Sequence, residues 1–156
     1  MTPKLKEVQA FFELLNKHVV EYMIIGGVAV NVHGYTRATG DLDIWYNPTE
    51  ENYQKLLATI REFGFDTSEI ENASKDPLKA FIRIPLESFY IELLAIIDGK
   101  LNYYEVYNRA YEFEINDKLT VKVIGYDDLI QNKIMARRVK DLDDIAQLER
   151  RRANNK

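Results

Sequence analysis

The chain has 156 residues, 46% of them hydrophobic and 29% charged, with no cysteine and a net charge of −4. That is one ordinary globular domain with a real core, from which disulfides and thiolate metal sites are excluded. The acidic balance argues against a surface that coats nucleic acid throughout, although Arg137, Arg138, Lys140, Arg150, Arg151 and Arg152 crowd the C-terminal end and leave a local basic patch open.

Residues 4–19 place Leu5, Val8, Phe12, Leu15 and Val19 at helical spacing, so a first amphipathic helix is expected. Residues 22–25 form a short apolar run, read as a buried strand, which ends at Gly26-Gly27. A short helix should open at Val28 and close near His33-Gly34. Residues 41–46 read as a second strand, with Asp41 and Asp43 on one face and Leu42 and Ile44 on the other. Asn47-Pro48-Thr49 should start a helix carrying Tyr53, Leu56, Leu57, Ile60 and Phe63 on one side, with Gly64 after its last turn.

Residues 66–79 are polar and unpatterned, a loop with at most one helical turn. Residues 80–84 and 89–97 read as a hairpin around Pro85-Leu86-Glu87-Ser88, followed by the turn signal Asp98-Gly99. A short helix over 103–110, a second hairpin over 113–115 and 119–124, and two closing helices over 126–137 and 140–151 complete the chain. The expected class is α+β or α/β, a mixed sheet with helices around it. The first six residues, Met-Thr-Pro-Lys-Leu-Lys, hold no apolar signal core, and no apolar run approaches a membrane span. A cytoplasmic location is the expectation.

Several residues carry chemistry. Asp41 and Asp43, at i and i+2 on a strand, place two carboxylates on one face about 6.5–7 Å apart, a pair suited to a divalent cation and equally to a solvated edge strand. Glu92 is the one charged residue in the apolar run 89–97, where a carboxylate is costly unless paired or metal-bound. If its strand lies beside Asp41 and Asp43, three carboxylates converge as a two-metal site for phosphoryl displacement, with Glu92 helping to activate the attacking hydroxyl. A salt bridge to Arg83 is the alternative. Gly26-Gly27, at a strand-to-helix junction, suits either a phosphate cradle or a tight turn. Arg37 and Thr39 lie in the loop before Asp41, suited either to clamp a phosphate and to hold the loop or a metal-bound water, or to an ordinary surface loop. Lys133 and Arg137 fall on the face of the penultimate helix that should be buried, where they meet something negative or snorkel over apolar surface. Arg138, Lys140, Asp141 and Asp144 fit an ion-pair network at the helix junction. His33 reads as structural, and Trp45 and Tyr46 as packing residues.

Gly26-Gly27, Asp41-Leu42-Asp43-Ile44 and Ile91-Glu92-Leu93 occur in the order and spacing that resemble the minimal nucleotidyltransferases of the DNA polymerase β superfamily. The run from Gly26 to Ile44 and the ending from Lys133 to Asp144 resemble more narrowly its AbiEii-like branch, known from toxin–antitoxin systems and many uncharacterised bacterial proteins. The resemblance covers roughly residues 22–148 and has Glu92 where Asp is more usual. It implies an α+β nucleotidyltransferase fold, a mixed sheet flanked by helices with further helices at the C-terminus, over residues 1–156. It also implies two Mg²⁺ ions, with Mn²⁺ as a substitute, held by Asp41, Asp43 and Glu92. The nucleoside triphosphate would lie against Gly26, Gly27, Arg37, Thr39, Lys133 and Arg137. A nucleoside monophosphate would pass to an acceptor hydroxyl, such as one on RNA or protein. The alternatives are a nucleotide-binding or antitoxin-like partner protein with little or no catalysis, or a structural interaction domain whose acidic cluster binds no metal; a toxin–antitoxin partner protein or a homo-oligomer is the expected assembly.

Overall fold

The structure, a computed structural model, describes residues 3–73 and 81–155. The expected loop over residues 74–79 and the expected strand start at Ala80 lie outside the described residues. Six strands form one mixed sheet in the order β3-β4-β2-β1-β6-β5. They are β1 (Tyr22–Ile25), β2 (Asp41–Tyr46), β3 (Phe81–Pro85), β4 (Tyr90–Leu94), β5 (Tyr111–Asn116) and β6 (Leu119–Val123). β2 runs antiparallel to β1 and parallel to β4, while β1 runs parallel to β6.

The helices are α1 (Pro3–Lys17), α2 (Gly26–Val32), α3 (Glu50–Glu62), α4 (Ser68–Ala73), α5 (Tyr103–Asn108), α6 (Tyr126–Ala136) and α7 (Val139–Asn154). α3 begins where the sequence says it should. The Thr49 hydroxyl accepts a bond from the Asn52 amide at 3.2 Å, and Gly64 takes a positive φ of 111° beyond its last turn. α4 is the single helical turn allowed for in the polar stretch.

Strand alternation separates the sheet into two faces. Tyr22, Ile24, Leu42, Ile44, Ile91 and Leu93 share one face and are all buried. Phe12 of α1 stacks on Tyr22 with ring centroids 5.9 Å apart. Phe11, Leu15, Leu56, Leu57 and Ile60 from α1 and α3 are completely buried in the same core. The opposite face carries Asp41, Asp43 and Trp45 on β2, with Tyr90, Glu92 and Leu94 on β4. Trp45 packs as expected, its indole N–H donating to the Ala95 carbonyl at 3.1 Å and its ring edge-on to Tyr103 at 4.9 Å. No helix among the described residues is long and apolar enough to cross a membrane.

Candidate active site

One row of register assembles the carboxylates: Ile25 faces Asp43, Asp43 faces Glu92, and Glu92 faces Arg83. Because β2 and β4 are parallel neighbours, Asp43 and Glu92 stand side by side on the same face. Like charges placed so are destabilising, and something must compensate. Asp43 is half-buried, and its Oδ1, itself buried, has no hydrogen-bond partner among the described residues. Burial pushes its carboxyl up to about 7, and a shared hydrogen bond with Glu92 and the charges of Glu92 and Asp41 push the same way; Lys140 opposes them. Free of ligand, this carboxyl therefore keeps a proton to near neutrality. A buried oxygen with no partner, aimed beside a second carboxylate, suits a hard divalent cation. Asp41 stands two residues earlier, against Tyr90, and contributes charge to Asp43. Among the described residues no group of three acidic or imidazole side chains stands close enough together to hold a metal ion.

The alternative partner of Glu92 is present too. The Arg83 guanidinium lies 3.7 Å above the Tyr90 ring and brings Nε within 3.5 Å of Glu92 Oε1. The Arg83 side chain is 51% exposed, and exposed pairs of this kind are worth about 0–1 kcal/mol. Such a contact yields readily to a stronger cation.

The glycine pair is dictated by these side chains. Gly26 has φ +68°, and a Cβ on it would collide with the Asp43 carboxylate. A Cβ on Gly27 would lie 2.8 Å from Thr39 Oγ1 and 3.2 Å from Arg37 Nη1. α2 therefore starts at Gly26 and not, as expected, at Val28, since the left-handed first residue lets the chain turn directly from strand into helix. No side chain caps that start. Gly26→Ala is expected to cost about 1–2 kcal/mol through its positive φ alone and more through the collision with Asp43. Gly34→Ala, at φ 117° with nothing within 4 Å, should show backbone strain only. Urea midpoints of the two variants make the comparison.

The cations behave differently from expectation. Lys133 is indeed inward, only 3% exposed, but it meets the acids of α7: Nζ lies 3.0 Å from Asp141 Oδ1 and 2.9 Å from Asp144 Oδ2. Arg37 grips Asp144 with two bonds of 2.7 and 2.8 Å, and Arg138 holds Asp141 at 2.7 Å. Burial raises the Asp141 and Asp144 carboxyls, yet the bonds from Arg138, Arg37 and Lys133 outweigh it and hold both below the usual range. The network expected at the helix junction forms around Asp141 and Asp144 with Arg138 and takes in Lys133 and Arg37, whereas Lys140 makes no ion pair among the described residues. Thr39 donates to the Asp41 carbonyl at 3.2 Å and so ties the loop to β2. Arg137 is not on the buried face. α6 ends at Ala136, Arg137 takes a left-handed φ of 56°, its amide bonds to the Lys133 carbonyl at 3.0 Å, and its side chain is exposed. Counting four residues forward assumed a helix that had already stopped.

A cavity of about 400 Å³ opens over the acids, lined by Gly26, Asp43, Glu92, Lys133, Asp98 and Arg138, among others. Arg138, which the sequence places only in the ion-pair network, is a cleft residue. Its position immediately before α7, beside an acid it pairs with, gave no separate signal. His33 is structural in its main contact, Nε2 lying 2.7 Å from the Ile124 carbonyl.

The sequence model of a family described as "Nucleotidyl transferase of unknown function (DUF2204)" matches residues 4–156. Two solved structures resemble the chain in fold. A candidate nucleotidyltransferase from Thermotoga maritima is 16% identical, with 98% of this chain and 94% of that one covered and a TM-score of 0.63. The lincosamide antibiotic adenylyltransferase LnuA, solved with lincomycin bound, is 15% identical, with 92% and 95% covered and a TM-score of 0.54. No curated protein matches the sequence significantly.

Proposed function

The chain belongs to this family of nucleotidyl transferases, and we propose that it moves a nucleoside monophosphate from a nucleoside triphosphate to an acceptor hydroxyl in the cleft over Asp43 and Glu92. The observation that carries the reading is Asp43 Oδ1, a buried acceptor with no partner among the described residues, directly beside a second carboxylate. A structural acid is ordinarily paired with a cation; the group that shares a hydrogen bond with this one is another carboxylate, Glu92.

Asp43 and Glu92, with Asp41 next along β2, would hold Mg²⁺, or Mn²⁺ in its place. When bound, two such ions neutralise phosphoryl charge and align attacking and leaving oxygens. Gly26 and Gly27 bring uncapped backbone amides close to Asp43, where a triphosphate can accept from them. Glu92 takes the proton from the acceptor hydroxyl as its oxygen bonds to the α-phosphorus. The bond from that phosphorus to the bridging oxygen breaks, and pyrophosphate leaves. Arg138 faces the same cavity and offers a guanidinium to the departing charge. Arg37, Thr39 and Lys133 act one step back, fixing α7 and the loop that packs beside Gly27 through Asp144, Asp141 and the Asp41 carbonyl. Arg137, exposed just beyond α6, is not among the residues that line the cleft. The motif run from Gly26 to Ile44 favours the AbiEii-like branch, a single domain over residues 1–156, bacterial cytoplasm and a toxin–antitoxin setting, with RNA or protein as acceptor.

A second reading has its own support: Arg83 already contacts Glu92, and no group of three acidic or imidazole side chains able to hold a metal ion is found among the described residues. On that reading the protein binds nucleotide as the partner of another protein and transfers nothing. Thermal unfolding with Mg²⁺ or Mn²⁺ and each nucleoside triphosphate separates the two. A ligand at about 100 times its Kd adds about 2.7 kcal/mol to the wild type, and Asp41→Asn/Asp43→Asn should lose that shift. No shift in the wild type ends both readings. A shift without labelled nucleoside monophosphate reaching RNA, protein or small hydroxyl acceptors selects the second.

A further inference from the structure

A second cavity, of about 460 Å³, lies away from the acids and is lined by His33, Gly34, Tyr126, Arg151, Arg152 and Asn155. It forms where the last turn of α7 crosses the end of α2 and the start of α6. Its volume falls in the range of small-ligand sites. The proposed reaction uses none of these residues.

Its chemistry is specific in three respects. Arg151 has no carboxylate partner among the described residues, and its guanidinium sits 5.8 Å over the Tyr35 ring. Arg152 lies 4.5 Å over the Tyr126 ring and touches Asp127 at 3.2 Å, an ion pair with side chains 51% and 88% exposed that contributes little and is easily exchanged. The Tyr126 hydroxyl is buried and has no hydrogen-bond partner among the described residues. A hydroxyl so placed costs free energy unless something bonds to it. The Tyr126 ring is itself held edge-on against His33 at 5.8 Å. Since His33 Nε2 must donate to the Ile124 carbonyl, Nδ1 is the ring's remaining polar atom.

We propose that this cavity binds a nucleoside phosphate at a site separate from the carboxylate cleft, with Arg151 and Arg152 taking the phosphate, the Tyr126 hydroxyl bonding to the ligand, and the aromatic rings receiving the base. The planar guanidinium of arginine offers two donors to phosphate oxygens and stacks on aromatic faces, so guanidinium and ring together select a phosphate that carries a flat group over a bare ion. From Asp141 to Arg152 along α7 is eleven residues, about 16 Å at 1.5 Å per residue. The site is therefore too far along the helix to be part of the same triphosphate pocket. The ligand can be a free nucleotide or one nucleotide of a single strand whose end reaches the cleft.

The test is fluorescence anisotropy in EDTA, which removes metal from the cleft. The probes are a labelled eight-nucleotide single-stranded RNA and, in competition and directly by calorimetry, AMP. Wild type should bind at least one of them. Arg151→Ala/Arg152→Ala should weaken binding at least tenfold and lower the salt slope of the strand by about 1.4, the share of two phosphates on a single strand. Tyr126→Phe should weaken binding several-fold while leaving Tm unchanged or raised, which a structural role for the hydroxyl would not do. Asp43→Asn should leave binding intact, so failure of the cleft reading and failure of this one are told apart. AMP binding as tightly as RNA assigns a free nucleotide, and RNA alone assigns a strand; both support the site. Absence of binding by both probes at 50 mM salt, or unchanged affinity in Arg151→Ala/Arg152→Ala, overturns it.

Discussion

Asp43→Asn is expected to stabilise the metal-free protein at pH 8 while abolishing nucleotidyl transfer. The Asp43 carboxyl is pushed from 3.8 to about 7 by burial first and by Glu92 and Asp41 after it. The folded state thus holds a proton that the unfolded chain releases near pH 4. Stability is fully present below that pH and declines as pH rises through the interval from about 4 to 7. Above it the folded protein carries a buried anion beside Glu92. Three units at 1.36 kcal/mol each set a ceiling of about 4 kcal/mol, and relaxation around Glu92 and Lys140 brings the expected gain for Asn to about 2 kcal/mol. Urea midpoints at pH 3.5 and pH 8 measure it: variant and wild type should nearly coincide at pH 3.5, below the unfolded value, and separate at pH 8. Millimolar Mg²⁺ at pH 8 should reverse the order, because the cation replaces the proton only where the carboxylate survives. An equal gap at both pH values would mean that Asp43 does not carry this strain.

How much of this was legible in the sequence depends on whether the deciding contact is local. β1 and β2 run over the expected residues because an apolar run and an alternating one need no information from elsewhere. Glu92 was found for the same reason: a lone charge in an apolar strand announces a partner. Which partner it takes is a matter of register, and the pairing Asp43–Glu92–Arg83 places both expected neighbours on one row. The fate of Lys133 could not be read. Its acids lie eight and eleven residues later, brought back by a left-handed Arg137, a conformation that carries no penalty visible in composition. Gly26 held the opposite surprise. The glycine suggested room for a phosphate, while the nearest thing needing the room is the Asp43 carboxylate itself.

The largest structural effect is expected at Lys133. Lys133→Met keeps the length of the apolar stem and removes the ammonium that bridges Asp141 and Asp144, which are 0% and 1% exposed. Arg138 and Arg37 each still satisfy one acid, but the two buried carboxylates lose the cation between them. Breaking a buried ion pair on one side costs about 3–5 kcal/mol, equivalent to a fall in Tm of about 10 °C or more for a chain of this size. Both acids are held below the usual range by their cations. In the wild type that stability is present above about pH 4 and is lost as pH falls through their depressed values. Removing Lys133 reverses part of the dependence, since protonating Asp144 then relieves repulsion, so the deficit should be greatest near pH 7 and shrink toward pH 4. Lys133→Met/Asp144→Asn should recover a substantial part of the loss, as the two changes share one contact and are not additive. Recovery of stability without recovery of transfer would assign the knot to the cleft as well as to the fold, because Asp144 also holds Arg37, whose guanidinium lies beside Gly27. No recovery in the double variant would show that the acids are not repelling each other and that Lys133 matters for its packing alone.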